Sequence, residues 1–245
     1  MNDVAYPPKR VSWSIRQSLY LLVAINLSVY FGTYIWREKI FALAELLPPA
    51  EPRLNQLLLV ALLQAFLYLA TVFVFVLLIK KEKPEALGLV RSDFGKLLFR
   101  GLLQGFLLFT FAIVFSVLIS LLFPAEIEPQ EISKFILLAK TPWEKAIPLI
   151  IAGVLAPLSE EVFFRGFLYP AFRNRWGVWR GMIFTSLIFG LLHFDLFRVL
   201  PLVLGGIWLN RMYEKSGTLY LPILAHAVWN LTMTVLLLSS GEVML

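Results

Sequence analysis

Two neighbouring carboxylates, a guanidinium, two imidazoles and a carboxamide stand where apolar residues are otherwise the rule. Glu160, Glu161 and Arg165 fall inside an apolar run that begins near Ile147. His193 and His226, the only two histidines, fall in later apolar runs of the same kind, and Asn230 follows His226 by four residues. Ionisable groups at membrane depth are costly, so they usually face a polar interior and mark a functional path. On a helix Glu161 and Arg165 share a face and can pair, while Glu160 points about 100° away from Glu161. This spacing makes Glu161–Arg165 a structural ion pair and leaves Glu160 as the reactive group, with Arg165 helping to hold it ionised. His226 and Asn230 share a face by the same rule, and both offer hydrogen-bond donors.

Three chemistries fit this set. In one, Glu160 assisted by His193 takes a proton from water, which attacks a carbonyl carbon, and His226 and Asn230 donate to the developing oxyanion. In the second, Glu160, His193 and His226 bind zinc as a set of two histidines and a glutamate, assembled across helices because no H-E-x-x-H pattern is present. In the third, the same groups form a proton or ion path in a transporter. A nucleophilic Ser159 has no G-x-S-x-G setting.

Depth decides whether these side chains can simply reach water. Counted from Lys145 on the outside at ~1.5 Å per residue, Glu160 lies roughly 22 Å in. That is about 8 Å short of the far face of a core about 30 Å thick. Arg165 is long enough to reach that face, whereas Glu160 is not. The same count puts His226 about 12 Å deep, and His193 about 20 Å deep from Arg180. His193 is thus expected some 8 Å deeper than His226 unless its helix starts above the membrane.

The elements that position these residues follow from composition. The chain has 245 residues, is 59% hydrophobic and 16% charged, with a mean hydropathy of +0.79. Soluble domains sit nearer 45–50% apolar and about 25% charged. The expected fold class is therefore all-α, a polytopic membrane helix bundle. Spans of roughly 20 apolar residues are expected near 17–36, 56–79, 97–123, 146–169, 178–197, 199–213 and 218–239. The 199–213 stretch is short and holds Pro201 and Gly205-Gly206, so a broken, tilted or only partly inserted helix is expected there. Residues 1–16 read as a cytoplasmic N-terminal segment ahead of an uncleaved first span. Residues 17–245 read as one integral membrane domain with its motif-bearing core at 146–240.

No cysteine is present, which excludes disulfides, thiolate catalysis and cysteine-ligated metal. The net charge of +6 comes from Lys and Arg in short loops, a pattern of cytoplasmic loops rather than of a nucleic-acid surface. Lys80, Lys81, Lys83, Arg91, Lys96 and Arg100 follow the second span, and Arg173, Arg175 and Arg180 follow the fourth. The N-terminus is accordingly expected in the cytoplasm. The link from Lys80 to Leu89 reads as a solvated loop with a turn at Pro84. The connection from Pro124 to Lys145 reads as an interfacial helix carrying Ile132, Phe135, Ile136 and Leu137 on one side.

The polar residues also fall into three ordered motifs. Glu160-Glu161-Val162-Phe163-Phe164-Arg165 is E-E-x-x-x-R, Phe189-Gly190-Leu191-Leu192-His193 is F-x-x-x-H, and His226-Ala227-Val228-Trp229-Asn230 is H-x-x-x-N. This set resembles the CPBP family, the CAAX proteases and bacteriocin-processing enzymes also called Abi proteins, which is related to the type II CAAX prenyl endopeptidases. The resemblance covers roughly residues 146–240. It implies an intramembrane glutamate-dependent endopeptidase without a cofactor, acting on a membrane-associated peptide or protein. In that reading Glu160 and His193 activate water, His226 and Asn230 hold the oxyanion, and Glu161 and Arg165 support the site. A zinc-dependent metalloprotease at the same residues and a non-catalytic membrane immunity or transport protein are the alternatives. The core cavity is expected to open to the cytoplasmic half of the bilayer.

Overall fold

The structure, a computed structural model, describes residues 10–122 and 131–240; expectations that fall on residues 1–9, 123–130 and 241–245 lie outside it. Among the described residues every regular element is helical, so the chain is an all-α, multi-pass membrane bundle. Helix α1 (Ile15–Ile35) starts at Ser14, whose hydroxyl and the Gln17 side chain cap each other's backbone N–H groups. The short α2 (Arg37–Ala44) leads to α3 (Pro52–Phe73), which continues through a π-helical stretch, Val74–Ile79. After a 3-10 turn at Pro84–Leu87 come α4 (Phe94–Leu122) and the short α5 (Glu131–Leu138). The next helix, α6, runs from Pro142 to Trp176 and includes π-helical stretches at Ile151–Leu155 and Val162–Leu168. It is followed by α7 (Val178–Leu191), α8 (Leu196–Ser216) and α9 (Tyr220–Ser240).

Five of these helices, α1, α3 with its extension, α4, α6 and α9, are long and apolar enough to cross a membrane. The other two expected spans form an antiparallel hairpin. In it α7 has only 14 residues, or about 21 Å. Helix α8 runs unbroken through Pro201 and both glycines, so the break does not form, and it is not among the five helices long and apolar enough to cross a membrane. Those glycines serve contact instead: a Cβ on Gly205 would lie 2.9 Å from the Trp229 ring, and one on Gly206 2.9 Å from the Ser186 Cβ.

Because the helices alternate in direction, their ends gather on two sides. On the N-terminal side, Trp13 Nε1 donates to the Phe167 carbonyl at 2.8 Å and Asn174 Nδ2 to the Val11 carbonyl at 3.1 Å. The Leu219 N–H donates to the Gly88 carbonyl on the same side. The link from Lys80 to Leu89 turns at Pro84 and leaves Lys81, Lys83 and Glu85 exposed, as expected, but its end is docked: Leu87 is fully buried in the main core, where its carbonyl faces Gly166 and Gly88 packs under Tyr213. On the opposite side the Glu144 carboxylate accepts the backbone N–H groups of Glu51, Lys140 and Thr141, each at 2.8 Å. This carboxylate ties the α2–α3 connection to the α5–α6 connection.

The two halves differ in filling. The N-terminal half is packed with Phe163, Phe164, Phe167, Tyr169 and Phe172 of α6 against Trp13, Tyr68, Phe75 and Tyr213. The opposite half holds a smaller cluster around Leu54, Leu58 and Ile147. Here α5 differs from the interfacial helix expected: Ile136 is buried within the protein, and Phe135 packs on that cluster rather than on lipid.

Candidate active site

Glu160 and Glu161 sit on the α-helical stretch Ala156–Glu161 of α6, between the two π-helical stretches. Counted along the helix, Glu160 is about 27 Å from Pro142 and about 24 Å from Trp176. It therefore lies well inside the run. π-Helical turns shift the register by one residue and are frequent at functional sites.

The pair expected between Glu161 and Arg165 is formed: Arg165 Nη1 lies 2.7 Å from Glu161 Oε1, with both side chains fully buried. Arg165 does not reach a membrane face as expected. The helix continues for eleven residues past it, and its guanidinium lies over the Phe189 ring, 4.7 Å from the centroid. Its Nη2 also donates to the Gly206 carbonyl of α8 at 3.4 Å. A buried charge needs such partners to be tolerated at all.

His226, in the second turn of α9, has a carboxylate at each end of its ring. Nδ1 is 2.7 Å from Glu161 Oε1, and Nε2 is 3.9 Å from Glu160 Oε2. The imidazole is buried, whereas the Glu160 side chain retains 21% exposure. Glu160 is thus the one of the two acids that solvent can reach. The sequence reading missed the Glu161–His226 hydrogen bond, since a contact across 65 positions leaves no spacing signal.

His193 occupies the turn between α7 and α8. Its Nδ1 faces the Phe189 carbonyl at 2.8 Å. A carbonyl only accepts, so Nδ1 carries the proton and a neutral ring keeps its lone pair on Nε2. Phe194 beyond it takes a left-handed conformation, with φ of 52°, and Asp195 caps α8 by accepting the Arg198 N–H at 3.1 Å. The expected difference in depth does not separate the two histidines. Both rings pack on Phe189, with centroids 4.8 Å away for His193 and 6.2 Å for His226. Phe189, one helical turn before His193, therefore joins both imidazoles to Arg165, a role that only its four-residue spacing from His193 hinted at.

Glu160, His193, His226 and Asn230 all line one cavity of about 380 Å³, together with Phe189, Trp229 and Arg198. Arg198 is paired with Asp195 at its rim. From Glu160 the cavity extends along Ala156, Ile151 and Pro148 of α6 and along Met233 and Leu237 of α9, to Ser133 and Ile136 of α5. All of these lie towards the side opposite the N-terminal segment. The opening expected towards the N-terminal half is therefore reversed, because aromatic side chains fill that half.

The residues proposed as zinc ligands do not form a metal-holding group among the described residues. What the geometry offers is a partly accessible carboxylate, two imidazoles and a carboxamide around one cavity. That set is suited to activating water and receiving negative charge.

Comparison with known proteins adds an independent observation. Residues 142–232 match the family described as type II CAAX prenyl endopeptidase Rce1-like. An Escherichia coli relative named "Uncharacterized 24.3 kDa protein" is 38% identical over 93 residues, covering 34% of this chain and 43% of the relative. A Bacillus subtilis (strain 168) relative named "Putative membrane peptidase YdiL" is 28% identical over 88 residues, covering 35% of this chain and 36% of the relative. The matches thus span about two fifths of these curated relatives. No solved structure shows significant similarity to the chain.

Proposed function

We propose, from the premise that residues 142–232 belong to the Rce1-like type II CAAX prenyl endopeptidase family, that this protein is an intramembrane endopeptidase. Its substrate is a membrane-associated peptide or protein, and the hydrolytic water is activated by Glu160 with His193. The observation that carries this reading is the gathering of Glu160, His193, His226 and Asn230, from three separate helical segments, around one cavity.

The chemistry follows in order. Glu160 takes a proton from water, and the remaining hydroxide attacks the scissile carbonyl carbon. Negative charge moves to the carbonyl oxygen, which accepts hydrogen bonds from His226 and Asn230. The C–N bond then breaks, and the proton held by Glu160 passes to the departing amine. Each oxyanion donor contributes about 3 kcal/mol to such a reaction, and a positioned base contributes roughly 10²–10⁴-fold. No metal step enters.

The loop bearing Lys80, Lys81 and Lys83 and the α6 end bearing Arg173 and Arg175 lie on the N-terminal side, which favours a cytoplasmic N-terminus. The cavity then faces the non-cytoplasmic half of the bilayer.

Purified protein in nanodiscs is expected to cleave members of a membrane-peptide library, and Glu160→Gln to lose at least about a hundredfold in kcat. A Glu160→Gln variant with wild-type activity overturns the mechanism.

A further inference from the structure

Of the six residues assigned to the site, His193 alone stands outside a helix, in the turn between the end of α7 at Leu191 and the start of α8 at Leu196. A side chain on a turn is placed less precisely than one on a helix unless something else fixes the turn. This turn also lies deep. Helix α7 has only 14 residues, about 21 Å, which is about 9 Å short of crossing a core about 30 Å thick. Backbone that leaves a helix at such depth is tolerated only against protein or along a water-filled cavity. Here the turn borders the cavity, through His193 and Arg198.

The turn is held in an unfavourable conformation. Phe194 has a φ of 52°, in the left-handed region that residues other than glycine seldom adopt. Such strain persists only where the surroundings impose it. From α7, the carbonyls of Gly190 and Leu191 accept the N–H groups of His193 at 3.2 Å and Phe194 at 3.1 Å. Gly190 also lets the two helices close: a Cβ there would lie 2.8 Å from Val203 Cγ2 and 3.1 Å from the Val199 carbonyl oxygen. From α8, Asp195 does the holding. Its Oδ1 accepts the Arg198 N–H at 3.1 Å, its Oδ2 accepts from Arg198 Nη1, and its carbonyl accepts the Val199 N–H at 2.9 Å. One carboxylate thus grips both the backbone and the side chain of the same residue.

Capping alone does not require that grip. An uncharged asparagine caps a helix as well as an aspartate does, whereas an ion pair at this depth carries a desolvation cost. The Asp195 and Arg198 side chains are mostly buried, and the pair closes the segment on which His193 and the strained Phe194 sit.

We propose that Asp195 and Arg198 are positioning residues for His193: their carboxylate–guanidinium clasp locks the α7–α8 turn and keeps the imidazole in the cavity that Glu160 lines. This rests on the reading above, in which His193 assists Glu160. The Arg198 guanidinium serves the turn rather than the substrate, so loss of the clasp is felt in turnover and not in substrate binding. A misplacement of about 1 Å in a catalytic group costs on the order of a hundredfold.

The test uses the double variant Asp195→Asn, Arg198→Met of the full-length protein in nanodiscs. Asparagine still caps α8 and no charge is left unpaired at the turn, so Tm is expected within about 4 °C of wild type. The expected kcat is roughly 10–100-fold lower, with KM within about twofold. In a His193→Ala background the same two substitutions should lower the residual rate no further, because residues that act through one group are not additive. The placement of His193 is also read without turnover, by NMR of protein carrying ¹⁵N in its imidazole rings and no histidine tag. The chain has only two histidines, and His193→Asn tells their signals apart. The double variant should move or broaden the His193 signals and leave those of His226 in place. Asp195→Asn alone, which keeps the cap, carries the same two measurements if the double variant does not fold. A raised KM at unchanged kcat would make Arg198 a substrate-binding residue and overturn the proposal. Wild-type kcat, a further loss in the His193→Ala background, or unmoved His193 signals overturn it as well. Selective movement of the His193 signals in a protein whose wild type cleaves nothing keeps the clasp and removes the peptidase reading instead.

Discussion

Replacing Arg165 by methionine separates the structural share of the buried cluster from the catalytic one. The Arg165 side chain has no solvent exposure, pairs with Glu161 at 2.7 Å, and stacks on Phe189 at 4.7 Å. Removing one partner of such a pair leaves the other charged and buried, which costs about 3–5 kcal/mol. The lost cation–π contact adds up to about 2 kcal/mol. His226 remains as a partner for Glu161, so the lower end of the range, about 3–4 kcal/mol, is expected for Arg165→Met. For a chain of this size that corresponds to a fall in Tm of roughly 6–16 °C, read from the fluorescence of its seven tryptophans in detergent. The double variant Glu161→Gln, Arg165→Met removes both charges and fills similar space, so most of that stability should return, as it does when whole buried pairs are made apolar. Its kcat should still be about a hundredfold low, because His226 has lost the carboxylate at Nδ1. Two results refute the reasoning: a double variant no more stable than Arg165→Met alone, or one with wild-type kcat.

Phe189→Ala removes the ring shared by Arg165, His193 and His226; a loss of about 3–5 kcal/mol and of most activity is expected from unfolding and cleavage assays. Chelation with EDTA is expected to leave cleavage unchanged, and loss of activity restored by added zinc would overturn the metal-free chemistry. Because the chain has no native cysteine, single cysteines report topology cleanly. With a membrane-impermeant maleimide on intact cells, Lys140→Cys should label and Lys81→Cys should not; the reverse pattern places the cavity half on the cytoplasmic side.

Local spacing and long-range packing divided what was legible. Apolar runs of spanning length fixed the helices, since a backbone in lipid must satisfy its own hydrogen bonds. The i, i+4 rule was enough for Glu161–Arg165, and the divergence of Glu160 from Glu161 is what lets the two acids approach opposite ends of one ring. Arg165 was misplaced because counting from Lys145 assumed a helix about as long as the bilayer is thick. The actual run continues to Trp176, so Arg165 is interior. Leu87 looked like part of a charged linker because the residues that bury it, Gly166 and Tyr213 among them, are far away in sequence. The burial of α5 against the protein was invisible for the same reason: an amphipathic helix shows that it has an apolar face but not what covers it.

The unequal filling of the two halves explains how water and a carboxylate can meet inside an apolar bundle. On the N-terminal side the aromatic residues of α6, Phe163, Phe164 and Phe167, belong to the main buried core, and the Glu161–Arg165 pair beside them is fully buried. On the other side three of the α6 residues that border the cavity before Glu160, namely Ala156, Ala152 and Pro148, are small or ring-closed, beside Ile151. The switch between these two textures falls at the adjacent acids. Glu161 faces the packed half, where its fixed charge can orient His226, and Glu160 faces the cavity, where its partial exposure admits water. Two identical side chains one residue apart can therefore take different parts because the helix turns one towards protein and the other towards space.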